Sequence, residues 1–91
     1  MNKKFYFRCD VKKGTNDLNG DLASLIGVFE NLDLEPEIVA RRPVSRNVEN
    51  VEIICHWYDS AADKFNALSL QDRFYFETIE DFLAECEKHD R

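Results

Sequence analysis

Three thiols and two imidazoles of this 91-residue chain stand out as possible nucleophiles, bases or metal ligands: Cys9, Cys55, Cys86, His56 and His89. Their spacing gives them little to work with. There is no C-x-x-C pair, no histidine pair at ligand spacing, no H-E-x-x-H, no phosphate-cradling glycine loop and no serine elbow. A thiol nucleophile needs a base beside it, and Cys55 and His56 are neighbours in a strand-like run, so they point to opposite faces. Each cysteine instead shares an apolar face: Cys9 with Phe5 and Phe7, Cys55 with Val51 and Ile53, Cys86 with Phe82 and Leu83. Free cysteine in such company packs as a small hydrophobe. The expectation is a chain that is not an enzyme, with no catalytic residue, no cofactor and no metal ligand.

A second constellation is chemically richer. If the strands have the registers described below, one sheet face collects Tyr6, Arg8, Ile54, His56, Tyr58, Arg73 and Tyr75. Aromatic rings interleaved with arginine suit base stacking on single-stranded RNA. They equally suit a protein interface, where Tyr and Arg recur at hot spots. An open antiparallel face with ordinary amphipathic residues is the plain alternative.

These side chains must be positioned by a small set of elements. Lys3 to Lys12 alternates Phe5, Phe7, Cys9 and Val11 against Lys4, Tyr6, Arg8 and Lys12, the period of a strand. A polar loop, Lys13-Gly14-Thr15-Asn16-Asp17, follows. Asp21 to Leu32 places Leu22, Leu25, Ile26, Phe29 and Leu32 on one stripe, which predicts a helix capped by Asn19 or Asp21 and ended before Pro36. Glu37 to Val44 reads as a second strand with Pro43 marking an edge, joined through Ser45-Arg46-Asn47 to the strongest strand of the chain. In that strand Val51, Ile53, Cys55 and Trp57 face one way, and Glu52, Ile54, His56 and Tyr58 the other. The stretch 59–68 suits either a short helix or an irregular crossover. Arg73 to Glu77 alternates as a fourth strand, and Thr78-Ile-Glu-Asp81 caps a last helix, Ile79 to Lys88.

The order β-α-β-β-(α)-β-α predicts one α+β domain over residues 1–91. Its expected form is a two-layer sandwich: a four-stranded, mainly antiparallel sheet with two helices, or three, on one face. If 59–68 is a helix the topology becomes ferredoxin-like with an extra C-terminal helix. Phe7, Phe29, Ile53, Phe76 and Phe82 are expected in one buried cluster.

Charge sharpens the functional classes. The net charge is −6, but residues 14–40 carry six acids and no Lys or Arg, and residues 77–87 carry five acids and none. Eight of the twelve basic residues lie in 1–13 and 41–46. Such a polarised surface steers a charged partner, and an acidic total disfavours nucleic acid as that partner. The scattered, odd set of cysteines and the absence of an apolar leader or long apolar run lead us to expect a reduced, cytoplasmic location and no membrane span.

The run Leu22 to Val44, LASLIGVFENLDLEPEIVARRPV, places a helix and then a strand after the glycine-bearing loop at Gly20. In this order, over about residues 4–57, the chain resembles an ACT-type regulatory domain, although the final β-α segment departs from that pattern. The resemblance implies an amino acid or similar effector bound at a subunit interface. In character, a short acidic chain with segregated charge also resembles the inhibitors that neutralise nucleic-acid enzymes, such as bacterial immunity proteins and phage anti-defence proteins of the anti-CRISPR kind. The favoured expectation is therefore a module that binds another protein with a basic surface. Its contacts would come from the helix acids Glu30, Asp33, Glu35, Glu80, Asp81 and Glu85, and from Tyr6, Arg8, His56, Tyr58 and Tyr75.

Overall fold

A computed structural model describes residues 3–15, 17–18 and 20–91. Three antiparallel strands form the sheet: β1 (Lys3–Lys12), β2 (Glu37–Pro43) and β3 (Val48–Trp57), in the order β1-β3-β2. β3 is the centre: it pairs with β1 along one edge and β2 along the other, and from Val51 to Trp57 its apolar residues Val51, Ile53, Cys55 and Trp57 fall on one face. Phe5 stands opposite Cys55, Phe7 opposite Ile53 and Cys9 opposite Val51. β2 and β3 form the expected hairpin, closed where the Val44 and Ser45 amides donate to the Val48 carbonyl at 2.9 and 3.1 Å. A bulge between Ile38 and Ala40 interrupts this pairing, and Pro43 ends it.

Helices α1 (Gly20–Asn31), α2 (Ala61–Ala67) and α3 (Ile79–His89) supply the other side of the core. The Asn19 cap lies outside the described residues, as does Asn16 of the first loop. α1 ends in a Schellman motif: Leu34 N–H reaches the Phe29 carbonyl at 3.1 Å and Asp33 N–H the Glu30 carbonyl at 3.0 Å. Asp33 takes the left-handed position that glycine usually fills, with φ 57°. The weak stretch after β3 is a helix, α2. At α3 the Thr78 hydroxyl accepts the Asp81 amide at 3.1 Å, the N-cap its sequence calls for.

The helices converge on Phe82. Its ring lies 5.3 Å from Phe29 of α1, 5.5 Å from Trp57 of β3, 5.7 Å from Phe65 of α2 and 5.4 Å from Phe76. Phe7, Phe29, Ile53 and Phe82 are buried in one cluster, with Phe76 packed half-buried against it. α1 and α3 run antiparallel, since Phe29 meets Phe82 while Asp21 meets His89.

The fourth strand is a correction. Residues 70–75 form a tight turn: Tyr75 N–H bonds the Leu70 carbonyl at 2.7 Å and Phe74 N–H the Gln71 carbonyl at 3.0 Å. Phe74 and Tyr75 both adopt left-handed backbone, φ 49° and 64°. Three anchors override the strand-like alternation. Phe74 lies on Gly27 of α1, where an added Cβ would stand 2.5 Å from the ring, so only glycine leaves it room. Arg73 stacks 5.1 Å over Phe65, and Phe76 abuts Phe82. The sheet edge a fourth strand would use is also taken. Beside β1, Arg91 N–H donates to the Tyr6 carbonyl at 2.9 Å and Tyr6 N–H donates to the Asp90 carboxylate at 2.8 Å. Without that strand the ferredoxin-like order does not form; the described residues make an α+β fold of three antiparallel strands and three helices.

Candidate functional site

The open face of the sheet carries Lys4 beside His56, Tyr6 beside Ile54, and Arg8 beside Glu52. β2 adds Ala40 opposite Glu52 and Arg42 opposite Asn50. Two acids of this face, Glu52 and Asp10, are partnered in place. Glu52, only 12% exposed, lies 2.8 Å from Arg91 Nη1 and 3.5 Å from Arg42 Nη1. Asn50 Nδ2 donates to Asp10 Oδ1 at 2.9 Å. The His56 and Tyr58 rings stack at 6.4 Å and 13°, edging a shallow recess of about 240 Å³ with Lys3 and Lys4. Tyr6, Arg8 and His56 thus share the face as expected, with Tyr58 at its end.

Arg73 and Tyr75 do not belong to that face. Both sit in the turn between α2 and α3, on the helical side, because residues 70–75 never join the sheet. Tyr75 is 67% exposed there, and Arg73 turns inward over Phe65 with its Nε buried and unpartnered.

The helical side has the opposite character. Residues 20–36 and 58–89 hold twelve acids against three Lys or Arg, whereas the strand regions 3–12 and 37–57 hold seven Lys or Arg against four acids. The antiparallel pairing puts Glu30 at the end of α1 on the same side as Glu80 and Asp81 at the start of α3, with Asp33 and Glu35 just beyond α1. All five are exposed. Among the described residues none of them lies within ion-pair distance of a basic side chain. Two placements favour such charge locally, for Glu80 and Asp81 stand in the first turn of α3 at the positive end of its dipole. Glu85 differs from the other acids: its Oε1 is 3.7 Å from Lys88 Nζ and 3.6 Å from His89 Nε2.

That difference exposes a cluster the sequence reading passed over. Asp21, Glu85 and His89 each bring one ligand-type atom within 4.8 Å of the other two. Glu85 and His89 stand at i and i+4 on α3, a spacing visible in the sequence; Asp21 comes from the far end of the chain, and only the helix pairing delivers it.

The thiols are placed as packing groups. Cys55 and Cys86 are buried and Cys9 half-buried, all free. Burial, and secondarily the charge of Glu30, pushes the Cys55 thiol from 9.0 to about 12. Burial, and then the neighbouring Cys55, pushes Cys86 higher still. Neither supplies thiolate near neutrality, and His56 lies on the opposite face of β3 from Cys55. No helix among the described residues is long and apolar enough to cross a membrane. No family model, curated protein or solved structure matches the chain.

Proposed function

We propose that this chain is a non-enzymatic binding module that docks its helical side against a basic surface of another protein, of the kind that otherwise takes nucleic acid. The observation that carries this reading is the group Glu30, Asp33, Glu35, Glu80 and Asp81: five exposed acids, without counter-charges among the described residues, at one end of the α1–α3 pair. Uncompensated charge of one sign raises the encounter rate with an oppositely charged cleft. It also repels nucleic acid. The module therefore acts by occupying the cleft, as a cytoplasmic inhibitor or neutraliser.

The reading is tested by immobilising the chain and exposing it to a host lysate. The expected capture is a basic protein that is released by raised salt and by an added oligonucleotide, and lost with a Glu30→Lys, Asp33→Lys, Glu80→Lys variant. A captured protein that ignores salt, oligonucleotide and charge reversal would overturn it. Direct retention of oligonucleotide, abolished by Arg8→Ala, would favour the sheet as an RNA platform instead.

A further inference from the structure

We infer that Asp21, Glu85 and His89 form a binding site for one transition-metal dication of the zinc type. Asp21 opens α1 and Glu85 and His89 close α3, so the site ties together two helices whose ends meet only in the folded chain. His89 Nε2 stands 3.8 Å from Asp21 Oδ2 and 3.6 Å from Glu85 Oε1.

Zinc bonds to imidazole nitrogen and carboxylate oxygen are about 2.0–2.2 Å, so tetrahedral ligands lie roughly 3.3–3.5 Å apart. The two separations from His89 need contraction by only a few tenths of an ångström, and the two carboxylates, whose ligand atoms lie within 4.8 Å, must close by up to about 1.4 Å. Asp21, whose side chain is 75% exposed, is free to supply that movement.

A second observation points the same way. His89 Nε2 is fully buried and has no hydrogen-bond partner, even though its ring is partly exposed. A buried nitrogen without a partner is costly to leave unsatisfied, and a cation between the two carboxylates satisfies it through its lone pair.

The donor set selects the ion. One imidazole with two carboxylates suits Zn²⁺, Co²⁺, Ni²⁺ or Mn²⁺ better than Ca²⁺ or Mg²⁺, which prefer oxygen alone. Three protein ligands leave at least one position open. A cavity of about 270 Å³, lined by Asp21, Ser24, Phe74, Phe76 and Glu85, adjoins it and shares two of its ligands. Water or a small anion can reach the metal through that space. Lys88, 3.7 Å from Glu85 Oε1, is the competitor the metal must displace.

The site is separate from the acid group proposed to meet a partner, so either idea can fail without the other. The test titrates the purified chain at pH 7.5 with Co²⁺ and Zn²⁺, reading the visible cobalt spectrum, binding heat and thermal midpoint. One equivalent should bind with a nitrogen/oxygen-type cobalt spectrum, free of the sulfur charge-transfer band a cysteine ligand gives, and the midpoint should rise by mass action. His89→Gln should abolish binding, and Asp21→Asn and Glu85→Gln should each weaken it ~tenfold or more. His89 lies in the last turn of α3, so the metal-free thermal midpoint of His89→Gln should match the parent's and show that the variant is folded. No binding up to millimolar metal, or binding that survives His89→Gln, would overturn the site.

Discussion

The two outer surfaces of this small protein differ both in their balance of charge and in how their acids are partnered. On the open sheet face, Glu52 is enclosed by Arg42 and Arg91 and stands across from Arg8, while Asp10 is held by Asn50. On the helical side, Glu30, Asp33, Glu35, Glu80 and Asp81 project with no basic side chain beside them among the described residues. Strands set cross-strand neighbours 4.5–5.5 Å apart and so bring opposite charges together. Helices separated by turns leave theirs dispersed. A formal charge of −6 therefore describes neither surface; the charge available to a partner is concentrated on one of them.

The largest expected effect breaks the comparison by breaking the core between the surfaces. Phe82→Ala removes the ring that touches Phe29, Trp57, Phe65 and Phe76. It should cost about 3–5 kcal/mol, read by urea denaturation. A loss under about 1 kcal/mol would mean that the helical layer does not depend on this ring.

The buried thiols give the next effect, and it depends on pH. A thiol whose folded value is raised contributes stability that is full below the unfolded value of 9.0 and is lost as pH rises towards about 12 for Cys55. The native protein should therefore weaken above pH 9 at about 1.4 kcal/mol per unit for each such thiol. A Cys55→Ala, Cys86→Ala variant should show a shallower alkaline decline in the same thermal scans. A thiol reagent at neutral pH should label Cys9 first and the other two only on unfolding.

Two smaller changes sharpen the contrast. Glu52→Ala should cost under about 1 kcal/mol, because Arg42 and Arg91 are half-exposed and water replaces their carboxylate. It should also give the sheet face weak, salt-sensitive affinity for oligonucleotides that the parent chain lacks, visible by fluorescence anisotropy. Asp33→Gly relieves a left-handed residue and should add about 1 kcal/mol. Because it also removes one acid, it should raise the melting temperature while slowing association with a basic partner, which separates folding from binding.

The strands that became the sheet were readable because alternation and pairing agree: Val51, Ile53, Cys55 and Trp57 face the helices, and β3 has neighbours on both sides. Residues 73–77 alternate as convincingly and form no strand. Alternation states which side chains could share a face, and cannot state whether an edge is free to accept a strand. Here Asp90 and Arg91 occupy that edge, and Gly27 offers Phe74 a seat on α1 instead. The sheet-face members Tyr6, Arg8 and His56 were legible for the same reason β1 and β3 were. Arg73 and Tyr75 were not, since their place depends on that rejected strand. Asp21, Glu85 and His89 show the other limit: a contact across 64 residues leaves no local pattern beyond the Glu85–His89 spacing.

The most direct test of the charge separation is a hydrogen-exchange footprint of the chain in complex with the basic protein it captures. Protection should appear over residues 30–35 and 79–85 and fade as salt is raised, because exposed charges act over about 8 Å at 0.15 M ionic strength and less above it. Protection confined to residues 4–8 and 54–58, unchanged by salt, would place the interface on the sheet and contradict the role assigned to the helical acids.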